Sequence, residues 1–382
     1  MISERSLYLH VLRLFSACVV VLGHAKEFFF VHPRQGDPLY ERLIHYLLSL
    51  GGSAVLVFFF LSGYLVGGKE LRNLAHRSIN LKRYLFDRTT RLEIVLIPAL
   101  MFTYLLNYIT CGKARNSLYC QADLSLWSHG AVRPIDSQSP LHFFSNIFFL
   151  QGFKSEVWGG NGPLWSLSFE FWYYVVFISV LTVVSNIRQR KLQVDLLFSL
   201  PVLALSFFIL DTKWLEYGLA WILGAAIPSI MKRIPMNAIP NSFKIFSYFK
   251  FVLLLVLFVL PSMLTMLVVP LLPAIFIMGV LLIGSLCLTG QESQLRTSGI
   301  LNSIIIKGSG FSFSLYLIHF PLLALAASYV VPMNRWDLTP IHLLYLAMIF
   351  LTVLGVAYLF AQVTEFRLAS LRKRLVPLFF KG

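Results

Sequence analysis

Apolar segments long enough to cross a bilayer recur along the whole of this 382-residue chain. A helix of about 20 apolar residues spans the hydrocarbon core and satisfies its own backbone hydrogen bonds there. The composition agrees, because 57% of the residues are hydrophobic and only 13% are charged. We therefore predict an all-α fold, a polytopic membrane bundle of about ten transmembrane helices. The predicted spans are roughly 8–31, 44–67, 92–110, 164–186, 193–210, 214–231, 249–264, 268–288, 310–331 and 341–363.

The segments between the predicted spans are short, so we predict a single integral membrane domain over residues 1–382. The longest of them, roughly 111–163, includes LHFFSNIFFLQG at 141–152, which is too short to cross and is typical of a re-entrant or interfacial segment. Cys111 and Cys120 both lie in this segment, on the side predicted to be external. They could form a disulfide if that compartment is oxidising.

The net charge of +15 indicates topology rather than nucleic-acid binding. With a cytoplasmic N-terminus and ten spans, most Lys and Arg residues fall on the cytoplasmic side, as is usual in membrane proteins. Both termini are therefore predicted to be cytoplasmic, and no nucleic-acid partner is expected. The segment 68–91 carries a dense part of this charge: Lys69, Arg72, Arg77, Lys82, Arg83, Arg88 and Arg91.

Among the polar side chains that lipid disfavours in the first span are Arg13 and His24. Their spacing equals three helical turns plus about 20°, so both project from one face of the helix. A charged group near the centre of a spanning helix costs about 2.5–3.5 kcal/mol on insertion scales. We therefore expect a polar cavity beside this face, and a chemical site rather than a purely structural span.

Three further spans carry polar residues, and two of these residues also have a structural explanation. Ser62 in the second span could serve close helix packing through small residues. Glu170 follows NGPLWSLSF in the fourth span, where an interfacial aromatic belt explains the aromatic residues but not a carboxylate. His319 in the ninth span could simply be hydrogen-bonded to a neighbouring helix.

Arg88 and Arg91 lie at the entrance to the third span and share a helix face. They could be anchors that reach the membrane interface, as long basic side chains do. Alternatively they form a phosphate site, to which Lys82 and Arg83 would add further positive charge. Position alone leaves both interpretations open.

The order of five motifs resembles the acyltransferase-3 family of integral membrane acyltransferases. The motifs are Arg13-x10-His24, FFFLSGYLV in the second span, DRTTRLEIVLIPAL entering the third, NGPLWSLSFEFWYY entering the fourth and FSLYLIHFPLL in the ninth. Each motif alone is weak, whereas the ordered set is specific and covers nearly the whole chain. The chain departs from the family at Arg88 and Arg91, because many members have an Arg-x-Arg pair there. Some members also carry a C-terminal soluble esterase-like domain, which we do not expect here.

The resemblance implies an acyl-CoA-dependent O-acyltransferase of a bacterial inner membrane. Such an enzyme moves an acyl group, usually acetyl, from cytoplasmic acetyl-CoA to a hydroxyl of a cell-surface or lipid-linked carbohydrate, without a metal. Polysaccharide assembly proteins are possible partners. His24 is the candidate general base, because imidazole titrates near neutral pH. Glu170 would be the second catalytic residue, orienting the imidazole if packing brings the two together.

The remaining motif residues are predicted to bind the two substrates. Phosphate groups of the acyl-CoA would bind to arginines, because guanidinium matches phosphate geometry; these are Arg13, Arg88, Arg91 and Arg83. The predicted substrate-binding residues are Ser62, Asn161, Trp165, Tyr316 and His319. Direct transfer needs fewer assumptions than a route through an acylated histidine, but both stay open.

Two other functions fit the same spans. A secondary transporter or flippase for a lipid-linked glycan would also place Arg, His and Glu inside the membrane, although no repeat symmetry is obvious. A noncatalytic scaffold of a polysaccharide assembly complex is the third, and it leaves Arg13, His24 and Glu170 without a purpose. The sequence identifies neither the acceptor nor its acylated position.

Overall fold

The structure is a computed structural model of the chain. It describes residues 2–34, 36–76, 78–113, 118–121, 134, 136–190, 194–234, 249–266, 271–289, 294–295, 299–331 and 334–380. Arg77 of the basic segment and most of 114–133 in the predicted outer segment lie outside the described residues.

The described chain is almost entirely helical, as the recurring apolar segments predict. The helices are α1 (Glu4–Phe29), α2 (Leu39–Leu48), α3 (Gly51–Ser62), α4 (Gly68–Ala75), α5 (Leu81–Lys113), α6 (Leu118–Gln121), α7 (Pro140–Ile147), α8 (Leu164–Gln189), α9 (Asp195–Ile209), α10 (Thr212–Arg233), α11 (Phe249–Met266), α12 (Leu271–Cys287), α13 (Ile300–Gly310), α14 (Ser312–Val330), α15 (Pro340–Val363) and α16 (Leu368–Phe379). A π-helical turn, Gly63–Gly67, joins α3 to α4, and single 3₁₀ turns lie at Trp158–Gly160 and Glu365–Arg367. Two short strands, β1 (Ile2–Ser3) and β2 (Gln294–Leu295), pair antiparallel.

Among the described residues, seven helical segments are long and apolar enough to cross a membrane, so the chain is an integral membrane protein. They are Glu4–Phe29, Leu39–Ala75, Leu81–Gly112, Leu164–Gln189, Thr212–Arg233, Ser312–Val330 and Pro340–Phe379. Two shorter apolar helices, α9 and α12, coincide with the fifth and eighth predicted spans. The total of ten spans and the cytoplasmic position of the termini stay predictions.

The third predicted span begins earlier than the sequence pattern suggested. The apolar span was predicted at 92–110, with Arg88 and Arg91 at its entrance, but α5 begins at Leu81. The Asn80 side chain accepts a hydrogen bond from the Arg83 amide at 2.9 Å, which satisfies one of the free N–H groups of the first turn. Hydropathy locates only the apolar part of a helix, whereas this one starts at its capping residue. The arginines at 83, 88 and 91 are therefore helical.

The contacts divide the chain into two compact units, and each contains helix segments from both halves of the sequence. The first unit comprises Met1–Ser16, Gly52–Leu85 and Phe169–Ser309. The second comprises Ala17–Gly51, Phe86–Ser168 and Gly310–Gly382.

In the first unit, α10 packs against the π-helical turn, α4 and α12. This packing depends on close backbone approach, because a Cβ on Gly63 would overlap the carbonyl oxygen of Trp221. Likewise, a Cβ on Gly224 would overlap the carbonyl oxygen of Phe60. Small residues at such positions let helix backbones meet directly, which is a common way to associate helices in lipid.

In the second unit, α14 packs against α15 and α6, and a disulfide ties α6 to the end of α5. Cys111 and Cys120 form this bond, the pairing that the sequence left conditional. The segment predicted to be re-entrant contains one short helix, α7. The chain after it packs against α5. There the indole N–H of Trp158 donates to the Leu100 carbonyl at 2.8 Å. Gly159 follows in a left-handed conformation with φ 59°.

Candidate active site

The helix α1 carries both of the polar residues that first indicated a site. It runs unbroken from Glu4 to Phe29, so Arg13 and His24 lie about 16 Å apart along one helix. Both side chains are half-buried. Arg13 belongs to the first unit and His24 to the second.

In the second unit, His24 lies beside the second intramembrane histidine that the sequence analysis singled out. The His24 and His319 rings have centroids 5.3 Å apart and are tilted by 35°. His319 is fully buried, whereas His24 is only half-buried. The Nδ1 atom of His319 lies 2.8 Å from the Tyr316 carbonyl oxygen and 3.1 Å from that of Leu315.

Aromatic rings surround this histidine pair. Phe320 meets His24 edge-on at 5.3 Å, and Phe28 packs against Phe320 at 5.0 Å between centroids. Tyr119 of α6 contacts both of these phenylalanines. We name His24, His319, Phe28, Phe320 and Tyr119 the histidine cluster. Within this cluster His319 is fully buried, and a polar interaction in such a low-dielectric place is stronger than in water.

Tyr119 also anchors the cluster to the outer segment. Its hydroxyl lies 3.1 Å from the Gly159 carbonyl oxygen and 3.2 Å from Asn107 Oδ1. Burial raises the pKa of Tyr119, so the hydroxyl keeps its proton and serves as a donor. The Asn107 amide group donates to the same Gly159 carbonyl at 2.7 Å.

The NGPLW segment packs against the helix that carries His319. Asn161 is buried, and its amide nitrogen donates to the Leu317 carbonyl at 2.8 Å. The Asn161 Oδ1 atom has no hydrogen-bond partner among the described residues. Ser166 and the Tyr316 hydroxyl are hydrogen-bonded at 2.6 Å. Trp165, between these residues in sequence, is half-buried.

The first unit holds a second polar group, a chain of hydrogen bonds that ends on Glu170. The Trp221 indole N–H donates to Ser62 Oγ at 3.1 Å, and Ser62 Oγ lies 2.9 Å from the Tyr174 hydroxyl. The Tyr174 hydroxyl in turn donates to Glu170. Because indole N–H can only donate and Tyr174 gives its proton to Glu170, the Ser62 hydroxyl must donate to Tyr174. We name these four residues the carboxylate chain.

The arginines predicted to bind phosphate lie along the first turns of α5. Arg88 and Arg91 are half-buried, and Arg83 is exposed. The C-terminal helix α16 adds Arg372, whose Nε donates to Thr90 Oγ1 at 3.1 Å. Arg372 also donates to the Asp87 carbonyl oxygen and lies 3.8 Å from the Asp87 carboxylate.

A protein-family model described as an acyltransferase domain matches residues 6–361. The chain belongs to the acyltransferase-3 family. Its sequence is also similar to an O-acetyl transferase of Shigella phage Sf6, with 26% identity over 215 residues. That alignment covers 50% of this chain and 55% of the phage protein, so the chain spans about half the length of this relative. No solved structure matches the chain significantly.

This member of the acyltransferase-3 family brings together several of the residues that its motifs singled out. His24 and His319 are neighbours, Asn161 contacts the helix of Tyr316 and His319, and Ser62 is linked to Glu170 through Tyr174. The hydrogen bond described for Glu170 is to Tyr174 rather than to an imidazole. Orientation of His24 by Glu170 therefore stays a prediction.

Several residues of these groups were missed by the sequence analysis. Tyr174 follows Glu170 at i, i+4, a spacing that places both on one helix face and could have indicated the pair. Trp221, Tyr119 and Arg372 come from distant segments, and no local pattern marks them as polar partners. Their roles depend on packing.

Proposed function

We propose that this acyltransferase transfers an acetyl group from cytoplasmic acetyl-CoA to a hydroxyl of a cell-surface or lipid-linked carbohydrate. The histidine cluster carries the proposal, because it places a half-buried imidazole among rings inside a membrane protein of this family. The name of the phage relative, an O-acetyl transferase, supports acetyl as the group and oxygen as the acceptor atom. The bacterial inner membrane is the proposed location.

Direct transfer requires one proton acceptor, and His24 is the proposed general base. A nitrogen of His24 takes the proton of the acceptor hydroxyl while the hydroxyl oxygen attacks the thioester carbonyl carbon. The carbon–sulfur bond breaks, and coenzyme A leaves as a thiolate that takes the proton from His24. General base catalysis of this kind contributes about 10²–10⁴-fold to a rate. Asn161, Trp165 and Tyr316 are proposed to bind the acceptor; Ser62 stays a candidate on the basis of its motif alone.

The donor is proposed to bind through arginines on the cytoplasmic side. Arg88 and Arg91 are spaced to bind one phosphate group together, and Arg372 holds Asp87 beside them. Arg13 and Arg83 are proposed for the same role on the basis of their motifs. A bidentate guanidinium–phosphate pair provides geometry as well as charge, which positions the thioester for attack.

The disulfide supports this orientation of the chain. Disulfides persist in oxidising compartments such as the periplasm and are rare in the cytosol. The bond between Cys111 and Cys120 lies at the C-terminal end of α5, so that end is proposed to face outward. The arginines at the opposite end of the same helix then face the cytoplasm, where acetyl-CoA is made available.

The direct test is acetyl transfer by the purified protein in lipid. Wild type, His24→Ala and, as a matched control, His76→Ala are incubated with radiolabelled acetyl-CoA and a cell-surface glycan extract. His76 is exposed at the end of α4, outside both polar groups. We expect glycan labelling by wild type and His76→Ala, and a loss of at least about 100-fold in His24→Ala.

Each other outcome has a defined meaning once every variant is shown to be folded. Equal labelling by His24→Ala and wild type would exclude His24 as the base. Movement of a lipid-linked glycan across the bilayer without acetyl-CoA would instead support the flippase function.

A further inference from the structure

The structure fixes which nitrogen of His319 carries a proton. Its Nδ1 atom lies 2.8 and 3.1 Å from two backbone carbonyl oxygens, which can only accept hydrogen bonds. Nδ1 must therefore be the N–H group. A second proton on the ring would create a charge that is fully buried and without a counter-ion at hydrogen-bond distance among the described residues, which is very costly. His319 is thus neutral, with a lone pair on Nε2.

That lone pair is buried and unused. His319 Nε2 has no hydrogen-bond partner among the described residues. An unsatisfied buried acceptor destabilises a fold, and an apolar side chain at this position would avoid that cost. Hydrogen bonding to its own helix therefore explains one ring nitrogen of His319 but not the other.

A neighbouring group that can donate a hydrogen bond to this lone pair is the imidazole of His24. The ring centroids are 5.3 Å apart, which is close to the separation of two imidazoles joined by an N–H···N hydrogen bond. The difference in burial indicates which of the two histidines meets the acceptor. His24 is partly exposed and can meet an acceptor hydroxyl, whereas His319 is fully buried.

We infer that His319 is the positioning residue of the general base: its Nε2 accepts a hydrogen bond from one ring nitrogen of His24, which leaves the other nitrogen of His24 as the base. This inference rests on the proposed function. When His24 takes the hydroxyl proton, its N–H toward His319 becomes part of an imidazolium, and the hydrogen bond strengthens. His319 itself neither gains nor loses a proton. The arrangement gives His319 the orienting role that the sequence analysis assigned to Glu170.

Two substitutions test the roles of the two ring nitrogens of His319 separately. In His319→Asn the shorter amide can still donate to the Tyr316 carbonyl, but it presents no acceptor toward His24. In His319→Gln the longer amide can place its oxygen near the original Nε2 position. We expect kcat to fall about 100-fold in His319→Asn and about 10-fold or less in His319→Gln, with KM for acetyl-CoA nearly unchanged. Equal kcat in the two variants, whether high or low, would overturn the inference.

A second measurement does not depend on the acceptor and is therefore informative even if acetyl transfer fails. The protein is labelled with ¹⁵N at its nine histidines, reconstituted in lipid and studied by solid-state NMR, with the His319 signals assigned from His319→Gln. We expect a protonated Nδ1 and an unprotonated Nε2, and an Nε2 signal that shifts in His24→Ala. A protonated Nε2, or an Nε2 signal that does not shift in His24→Ala, would overturn the inference. A positive NMR result without acetyl transfer would contradict the proposed function alone.

Discussion

The carboxylate chain and the histidine cluster treat buried polar atoms in opposite ways. In the carboxylate chain, every hydroxyl and N–H from Trp221 to Glu170 has a partner, and all the hydrogen bonds point in one direction. In the histidine cluster, His319 Nε2 is buried without a hydrogen-bond partner among the described residues, and the same holds for the nearby Asn161 Oδ1.

This difference separates two uses of polarity inside a membrane protein. When every polar group of a chain has a hydrogen-bond partner, the hydrogen bonds strengthen one another and hold the side chains in place. Buried acceptors without partners are costly, so they indicate that a ligand or a second conformation supplies the missing donor. The histidine cluster is therefore the better candidate for proton transfer, whereas the carboxylate chain holds Glu170 in one place.

The largest expected effect comes from breaking the packing around the carboxylate chain. In Gly63→Ala the new Cβ overlaps the Trp221 carbonyl oxygen, so α10 must move and Trp221 loses its place beside Ser62. We expect a loss of about 3 kcal/mol of stability, measured as a lower Tm and a lower yield of monodisperse protein. Gly284→Ala is the control, because a Cβ there meets no atom within 4 Å. Equal Tm values for the two variants would contradict the close approach at Gly63.

The next largest effect is expected when the charge of Glu170 is removed, which tests whether this charge contributes to catalysis. Glu170→Gln keeps an oxygen to accept from Tyr174 but removes the charge. Since an ionisable group inside a membrane is usually functional, we expect acetyl transfer to fall about 100-fold with Tm unchanged. The exposed Glu216→Gln is the control. Unchanged transfer in Glu170→Gln would limit the carboxylate chain to a structural role and sharpen the contrast with the histidine cluster.

The smallest effect is expected when the Tyr174 hydroxyl is removed, which tests whether the hydrogen bonds of the carboxylate chain depend on one another. Tyr174→Phe removes the hydroxyl between Ser62 and Glu170, and we expect a loss of about 1–3 kcal/mol in thermal or denaturant unfolding. Combining it with Ser62→Ala should cost less than the sum of the single variants, because both break the same chain. Tyr329→Phe, at an exposed tyrosine, is the control. Additive losses would show that the hydrogen bonds are independent.

Much of the fold could be predicted from local patterns, and the errors have a common cause. Apolar segments located the helices, since hydropathy and length decide what crosses a membrane. The start of α5 was misplaced, because the charged residues after Asn80 continue the helix beyond its apolar part. The breaks around α3 were missed, because the apolar pattern continues through them.

The sequence by itself determined that this protein is a helical membrane protein of the acyltransferase-3 family with Arg13 and His24 on one helix. Those conclusions depend on composition, spacing and motif order, which are properties of single segments. Only the tertiary structure decided that His24 has His319 beside it and that Glu170 accepts from Tyr174. The link from Trp221 to Ser62 joins residues 159 positions apart, and packing alone sets such contacts. A chain of apolar helices can pack in many ways, and side-chain volumes and close backbone contacts select one of them.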